Sequence, residues 1–288
     1  MDHLVSSITS GKSYRFDWNK LTGAAAYTTG RWYDFGAITG TPVANAFPGT
    51  ALTWVTCNES TGNGTQIFGI PHGGSVVPGT KHLLNASGLT TISTGVPSQL
   101  MLVDVQGYYP GINMNLSTAQ TLIGSPTLRY TDGVGVRAYL TITVGTGANA
   151  HNVSLSYTNQ SGTSGRALPV TVACTASTIA AHITHSGTAA NNYGPFLPLA
   201  SGDSGIRSVQ TITISAASGT GTAALVLARP IMTLPLIATS VTSERDFLNQ
   251  IPSLPEIKDG ACLVWLYLAG GSTGANTSFY GHLELGWS

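Results

Sequence analysis

Residues 136–158 read VRAYLTITVGTGANAHNVSLSYT. Val136, Ala138, Leu140, Ile142 and Val144 alternate with Arg137, Tyr139, Thr141 and Thr143, so an extended chain here has one apolar and one polar face. Residues 145–150 (GTGANA) supply turn formers. Val153, Leu155 and Tyr157 then resume the alternation against Asn152, Ser154, Ser156 and Thr158. A period of two, broken once by glycines, predicts two antiparallel strands joined as a hairpin. This is the framework of a β-sandwich, and no reactive group stands out in it.

The neighbouring segments follow the same pattern. Val170, Val172 and Cys174 alternate, Ile212 and Ile214 alternate with Thr211 and Thr213, and residues 219–221 (GTG) turn into an apolar run at 223–228. Residues 177–185 (STIAAHITH) are the best helical candidate, with Ser177 or Thr178 as N-cap and Gly187 as the stop. Residues 36–130 break into short strands such as 51–57 (ALTWVTC), separated by Gly/Pro/Asn turns. The continuous run 98–105 (SQLMLVDV) suits a strand covered on both faces. Near the end, 261–268 (ACLVWLYL) and the alternation of Phe279, Gly281, Leu283 and Leu285 with Tyr280, His282 and Glu284 predict a terminal hairpin. Residues 1–35 read as an N-terminal arm. Leu4, Val5 and Ile8 form one or two helical turns, Tyr14, Phe16 and Trp18 a short strand, and Trp32, Tyr33 and Phe35 an aromatic cluster.

The expected fold is all-β: two β-sandwich or jelly-roll-like domains, an N-terminal arm and at most one or two short helices. The boundaries are 1–35 for the arm, 36–130 plus 229–288 for a discontinuous sandwich, and 131–228 for a sandwich inserted into it. A contiguous two-domain division is the alternative.

Composition narrows the function. Only 8% of the 288 residues are charged, against about a quarter in an average soluble domain. Lys plus Arg and Asp plus Glu number 12 each, so no net charge draws nucleic acid, an anionic membrane or an acidic substrate. The 42% hydrophobic content, with five Trp and eleven Tyr, is enough for a large core and argues against disorder. A neutral surface rich in Thr and Gly favours self-association. Cys57, Cys174 and Cys262 show no CxxC spacing, which suggests neither a zinc site nor a disulfide framework; Cys174 and Cys262 read as small buried hydrophobes. The start has no basic region followed by a long apolar core, and no apolar run approaches the ~18–20 residues of a membrane helix.

Few motifs offer chemistry. His72-Gly73-Gly74 is similar to the oxyanion loop of esterases, but no Gly-x-Ser-x-Gly elbow accompanies it, so the glycines read as turn residues beside an exposed imidazole. His182 and His185 share a face of the expected helix without further ligands nearby, which favours two solvated polar residues over a metal site. Asp104 lies in an apolar strand. Asp203, in Ser-Gly-Asp-Ser-Gly, reads as a turn residue capping backbone amides. With so few charges, Arg207 and Arg229 are candidates for defined pairs. The basic-aromatic pieces at 12–16 and 31–33 are too short to indicate nucleic acid.

Residues 11–20 (GKSYRFDWNK), 30–34 (GRWYD), 104–110 (DVQGYYP) and 199–209 (LASGDSGIRSV) resemble virion structural proteins of tailed bacteriophages, a loosely defined group, and the likeness spans most of the chain. The resemblance implies a β-rich, non-enzymatic component of the particle, of the capsid-decorating or minor head protein type. It carries no catalytic residues and no cofactor. The expected partners are further copies of the chain, a trimer first, and the major capsid protein lattice, with no nucleic acid and no membrane. The expected location is the capsid exterior, after synthesis in the host cytoplasm. Trp18, Trp32, Tyr33 and Phe35 are the candidates for interface contacts. The alternative of a carbohydrate- or receptor-binding fibre module would use Tyr108, Tyr109, Trp265 and Trp287 to stack on sugar rings. A polysaccharide hydrolase is a third reading, without the repeats that such enzymes usually show.

Overall fold

The computed structural model describes residues 10–147, 149–175, 177, 179–186, 194–217, 219–249 and 254–288. The arm positions Leu4, Val5 and Ile8 and the helix markers Thr178 and Gly187 lie outside them. The strands of the first half are β1 (Ser13–Leu21), β2 (Trp32–Asp34), β3 (Gly40–Thr41), β4 (Val55–Thr56), β5 (Lys81–Thr90), β6 (Ser98–Asn113), β7 (Gln120–Thr121) and β8 (Arg137–Val144). The second half adds β9 (His151–Asn159), β10 (Arg166–Ala167), β11 (Val172–Cys174), β12 (Ile206–Ile214), β13 (Thr222–Leu236), β14 (Ser243–Asp246), β15 (Glu256–Ile257), β16 (Leu263–Leu268) and β17 (Ser278–Trp287). Two single 3-10 turns, Phe35–Ala37 and Ser93–Gly95, complete the described secondary structure. The protein is all-β, built from packed antiparallel sheets.

Three sheets form. The first has the order β14-β5-β17-β1-β3, with β15 also on β5, and the second has the order β10-β9-β12-β7, with β11 also on β9. The third, β2-β16-β6-β13-β8 with β4 also on β6, lies between them. Its two end strands are joined by residues 181–184. Tyr33 and Thr141 bridge to His182 and Ile183, and the amides of Asp34, Ile142, Ile183 and Thr184 bond to Ala181 O, His182 O, Trp32 O and Leu140 O. The third sheet is therefore a closed barrel, which leaves no free edge between β2 and β8. Val103, Val105, Tyr139, Ile183, Ala224, Val226, Val264 and Leu266 form one buried cluster drawn from this ring. A ring of six segments is narrower than an eight-stranded barrel, whose bore side chains just fill. Small residues on β13, Ala224 and Ala228, fit that bore.

The helix expected at 177–185 is replaced by this closing segment. Backbone pairing on both sides and the burial of Ile183 outweigh a short i, i+3 pattern. The hairpin expected at 136–158 is corrected as well. Both strands exist with the expected alternation, but β8 pairs with β13 in the barrel while β9 pairs with β12 in the second sheet. The loop between them carries the chain from one layer to the next. Ala138, Leu140 and Ile142 then meet Val153, Leu155 and Tyr157 face to face in a shared core. Similarly, β16 pairs with β6 and β2, whereas β17 lies between β1 and β5, so the terminal hairpin does not form. Twelve of the sixteen connections between successive described strands cross between the barrel and an outer sheet.

The long strands β6 and β13 pair along most of their length and serve both sandwiches. Leu100, Leu102 and Leu234 pack toward the first sheet with Trp18, Trp265 and Phe279, while Tyr109, Leu225 and Leu227 pack toward the second. Residues 13–21, read as part of an arm, are an interior strand of the first sheet. Gly281 of β17 faces Trp18 across the ladder. A Cβ there would lie 2.0 Å from Ser87 O and 2.6 Å from the Trp18 ring. Gly281→Ala is expected to destabilise the fold by about 2–3 kcal/mol, as overpacking does. An unchanged thermal midpoint would contradict this packing.

Candidate functional site

Five charged side chains, Lys20, Asp34, Glu59, Lys81 and Asp104, are buried together with several histidines. His72 is fully buried, so the exposed imidazole expected beside its glycines is corrected. The amides of His72 and Gly74 donate to Glu59 Oε1 at 2.6 and 3.1 Å. The loop resembling an oxyanion loop thus holds a carboxylate of its own chain, as successive backbone amides do in an anion nest. His72 Nε2 lies 2.9 Å from Ala261 O and Nδ1 lies 2.7 Å from Lys81 Nζ. Burial, ahead of the neighbouring charges, holds the imidazole below its ordinary pKa. The neutral ring therefore donates from Nε2 and accepts at Nδ1. Lys81 also donates to Gly74 O. Asp259 accepts from Ser75 Oγ at 2.7 Å and from the Val76 amide. Donors and acceptors turned on one another in this way staple residues 59–76 to β5 and to the segment before β16.

Beside this staple, Asp104 of β6 is completely buried. It accepts from Arg129 Nε at 3.1 Å, from Arg129 Nη2, and from the Cys262 amide at 2.9 Å. Arg129 also donates to Cys57 O at 2.6 Å and to Val105 O. This fork ties the loop before β8 to β6, β4 and β16. Inside the barrel mouth, Asp34 accepts from Tyr139 Oη at 2.9 Å and from the Gly36 amide at 2.8 Å. Burial raises the Asp34 carboxyl to about 6, and burial lowers the nearby Lys20 amine to about 8. Lys20 Nζ is capped by Pro42 O at 2.7 Å and Ile38 O at 3.2 Å.

Asp203 does not cap backbone amides as expected. Its carboxylate accepts from Tyr157 Oη, Asn159 Nδ2 and Arg166 Nε at 2.7, 2.7 and 2.9 Å, because β9 and β10 present those side chains to the turn. His182 and His185, expected on a solvated helix face, are both buried, His182 in the closing segment and His185 just after it. Among the described residues, no group of three or more His, Cys, Asp or Glu is arranged to hold a metal ion. All three cysteines are free and buried.

The aromatic candidates also lie inside. Trp18 packs on Trp265 with ring centroids 5.6 Å apart, Tyr33 stacks on Tyr27 at 3.7 Å, and Phe35 meets Tyr267 at 4.7 Å. Trp32 is 5% exposed within the barrel cluster. Tyr108 meets Phe47 edge-on, and Tyr109 meets Trp54 in the same way. None of these seven candidate rings is presented to solvent, so an interface or a sugar would have to be met by other residues. Rings of this size remove so much apolar area from water that the core claims them first. Trp287 is the exception, half-buried beside Gly73.

No protein-family model matches the chain, and no curated protein matches it. Among solved structures, the VP2 subviral particle of infectious bursal disease virus is 9% identical, with 96% of this chain and 80% of that chain covered and a TM-score of 0.22. The Gt strain of the same virus is 10% identical over 96% and 81% of the two chains, with a TM-score of 0.16. At such TM-scores the likeness carries no functional argument.

Several branched aliphatic side chains stand on the outer surface. Val77 is 77% exposed, Ile237 72%, Val144 59%, Ile123 57% and Val241 54%. Two of these sit together. Ser240 N bonds to Thr90 O at 2.8 Å, which ties the turn carrying Ile237 and Val241 to the end of β5, two residues before the exposed Ile92. Edge strand β14 begins there. The scarcity of charge that marks Arg207 and Arg229 as candidates for defined pairs applies equally to Glu59, Lys81, Arg129 and Asp259, which form the largely buried network. Glu59 and Asp259 stand next to turn formers, whereas Lys81 opens β5 and Arg129 lies between Leu128 and Tyr130.

Proposed function

We propose that this chain is a non-enzymatic structural protein of a phage particle, which decorates or cements the capsid as a homo-oligomer on the coat lattice. One observation carries the reading. Lys20, Asp34, Glu59, Lys81 and Asp104 are buried out of an already small charge stock, while branched aliphatic side chains stand exposed. A surface depleted of charge and dotted with Val and Ile loses little by being covered and gains by leaving water. The resemblance to tailed-phage virion proteins points the same way. The patch at Ile92, Ile237 and Val241, beside the unpaired edge of β14, is the contact surface of this reading. It replaces Trp18, Trp32, Tyr33 and Phe35 in that role.

The test is the mass of the purified chain in solution. Mass photometry is expected to show an oligomer, a trimer first. Ile237→Asp with Val241→Asp is expected to weaken it by about a hundredfold, from the ~1–2 kcal/mol of apolar burial lost at each position. A chain that stays monomeric at micromolar concentration and does not bind the capsids of its phage would overturn the proposal. Deleting residues 1–35 is not a clean test, because it removes β1 and β2 from the interior of two sheets.

A further inference from the structure

Arg229 is held in an unusual setting. It follows Ala228 on β13, which pairs with Arg137, the first residue of β8. Its guanidinium lies over the Tyr130 ring, 4.1 Å from the centroid. On another side is Gly135, at φ +76, where a Cβ would come within 3.2 Å of Arg229 Nε. The stack fixes the plane of the group. Most cations of this chain have an assigned acceptor, and the nearby Asp104 is already committed to Arg129 and the Cys262 amide. Arg229 has no hydrogen bond or ion pair among the described residues. It lines a cavity of about 310 Å³ together with Tyr130, Pro230, Ile231, Pro255, Glu256 and Lys258.

We propose that this cavity binds the carboxylate of an acidic sugar residue, with Arg229 as its bidentate partner. The argument combines charge, shape and volume. Lys258 is paired to Glu256 at 2.6 Å, so the cavity carries the single positive charge of Arg229. One carboxylate neutralises it, whereas a dianionic phosphate would leave a negative charge beside Glu256. A planar guanidinium held flat by a ring matches a carboxylate through two parallel N–H bonds. The proline and isoleucine walls offer apolar surface to the C–H face of a pyranose. The volume lies at the small end for ligand pockets, sized for one sugar ring. An aspartate or glutamate from a neighbouring protein would leave much of this space unfilled. The proposal goes beyond the particle role and does not depend on it.

The test is calorimetric or NMR titration of the full chain with methyl β-D-glucuronide, with methyl β-D-glucoside as the neutral control. Saturable binding of the glucuronide is expected, at least about tenfold tighter than the glucoside. Arg229→Gln is expected to weaken the glucuronide by about tenfold or more. Arg229→Lys, which keeps the charge without the planar fork, should give an intermediate loss. Equal affinity for the two sugars, or undiminished binding by Arg229→Gln, would overturn the proposal. If Arg229→Gln does not fold, the wild-type salt dependence decides. Binding that weakens between about 0.05 and 0.5 M salt supports the site, and binding indifferent to salt refutes it. Absence of glucuronide binding, together with dissociation of oligomers in Arg229→Lys, would instead assign Arg229 to a carboxylate of a second copy.

Discussion

Replacing Asp104 with alanine is expected to lower the free energy of unfolding by about 3–5 kcal/mol, the range found when one partner of a buried ion pair is removed. The carboxylate is fully buried and receives the Arg129 fork and the Cys262 amide together. Its loss leaves a guanidinium only 14% exposed without a counter-charge, and leaves an amide at the start of β16 without its acceptor. The loop that carries Arg129 would also lose its tie to β6. Asp104→Asn is expected to cost less, because the amide oxygen can still accept from Cys262 N. The double variant Asp104→Asn, Arg129→Met should recover part of the loss, since the uncompensated charge has then gone. Urea unfolding midpoints at constant m-value measure all three. A loss below about 1 kcal/mol for Asp104→Ala would mean that the pair is not buried as described.

Acid is expected to destabilise the protein through His182 and His185. Both rings are buried at the barrel closure, His182 within the closing segment and His185 next to it, and neither ring nitrogen of His182 has a hydrogen-bond partner among the described residues. Burial lowers both to about 3, with Arg31 and His185 adding to the effect on His182. Above the unfolded value of 6.5, both states are neutral and the full stability is present. As pH falls from 6.5 toward 3, the unfolded chain takes up protons that the folded chain refuses, so stability is lost at about 1.4 kcal/mol per pH unit for each histidine. At pH 4.5 that amounts to roughly 5 kcal/mol for the two. His72, His151 and His282 are lowered as well and act in the same direction. Asp34 acts in the opposite direction. Its folded carboxyl is raised to about 6, so it adds stability in acid that is lost as pH rises from about 4 to 6, roughly 3 kcal/mol in all. The net slope still favours neutral pH. His182→Phe with His185→Phe is expected to flatten the dependence of unfolding free energy on pH between 6.5 and 4.5. An unchanged slope would show that these rings are protonated in the folded state.

Strand positions were legible in the sequence because burial on one face imposes a period of two on residues such as Val136 to Val144, whatever lies beyond the strand's ends. Pairing was not legible. A glycine-rich loop such as 145–150 serves a hairpin and a layer-crossing arch equally well, and the difference depends on β13, some 80 residues away. One local clue existed in Tyr139 and Thr141. They are the nominally polar face of β8, yet both are buried, as a strand covered on two sides requires. The aromatic candidates failed for a related reason. A dense cluster such as Trp32 to Phe35 signals buried area, and sequence alone does not say whether a core or a partner supplies the cover. The network of buried Glu59, His72 and Lys81 with half-buried Asp259 brings together residues up to 200 positions apart, so its members could be suspected individually but not assembled.

The ordering of strands in the first sheet has a consequence for biosynthesis. β17 lies between β1 and β5, pairing with both along nine register positions each, so a nascent chain cannot complete that sheet until residues 278–287 have left the ribosome. Until then, β1 and the inner edge of β5 are open templates, and the barrel gap between β2 and β8 stays unfilled until 181–184 arrive. Long-range pairings of this kind fold slowly and leave sticky intermediates. A chain cut short by ten residues would keep most of its mass and still expose two strand edges to its neighbours.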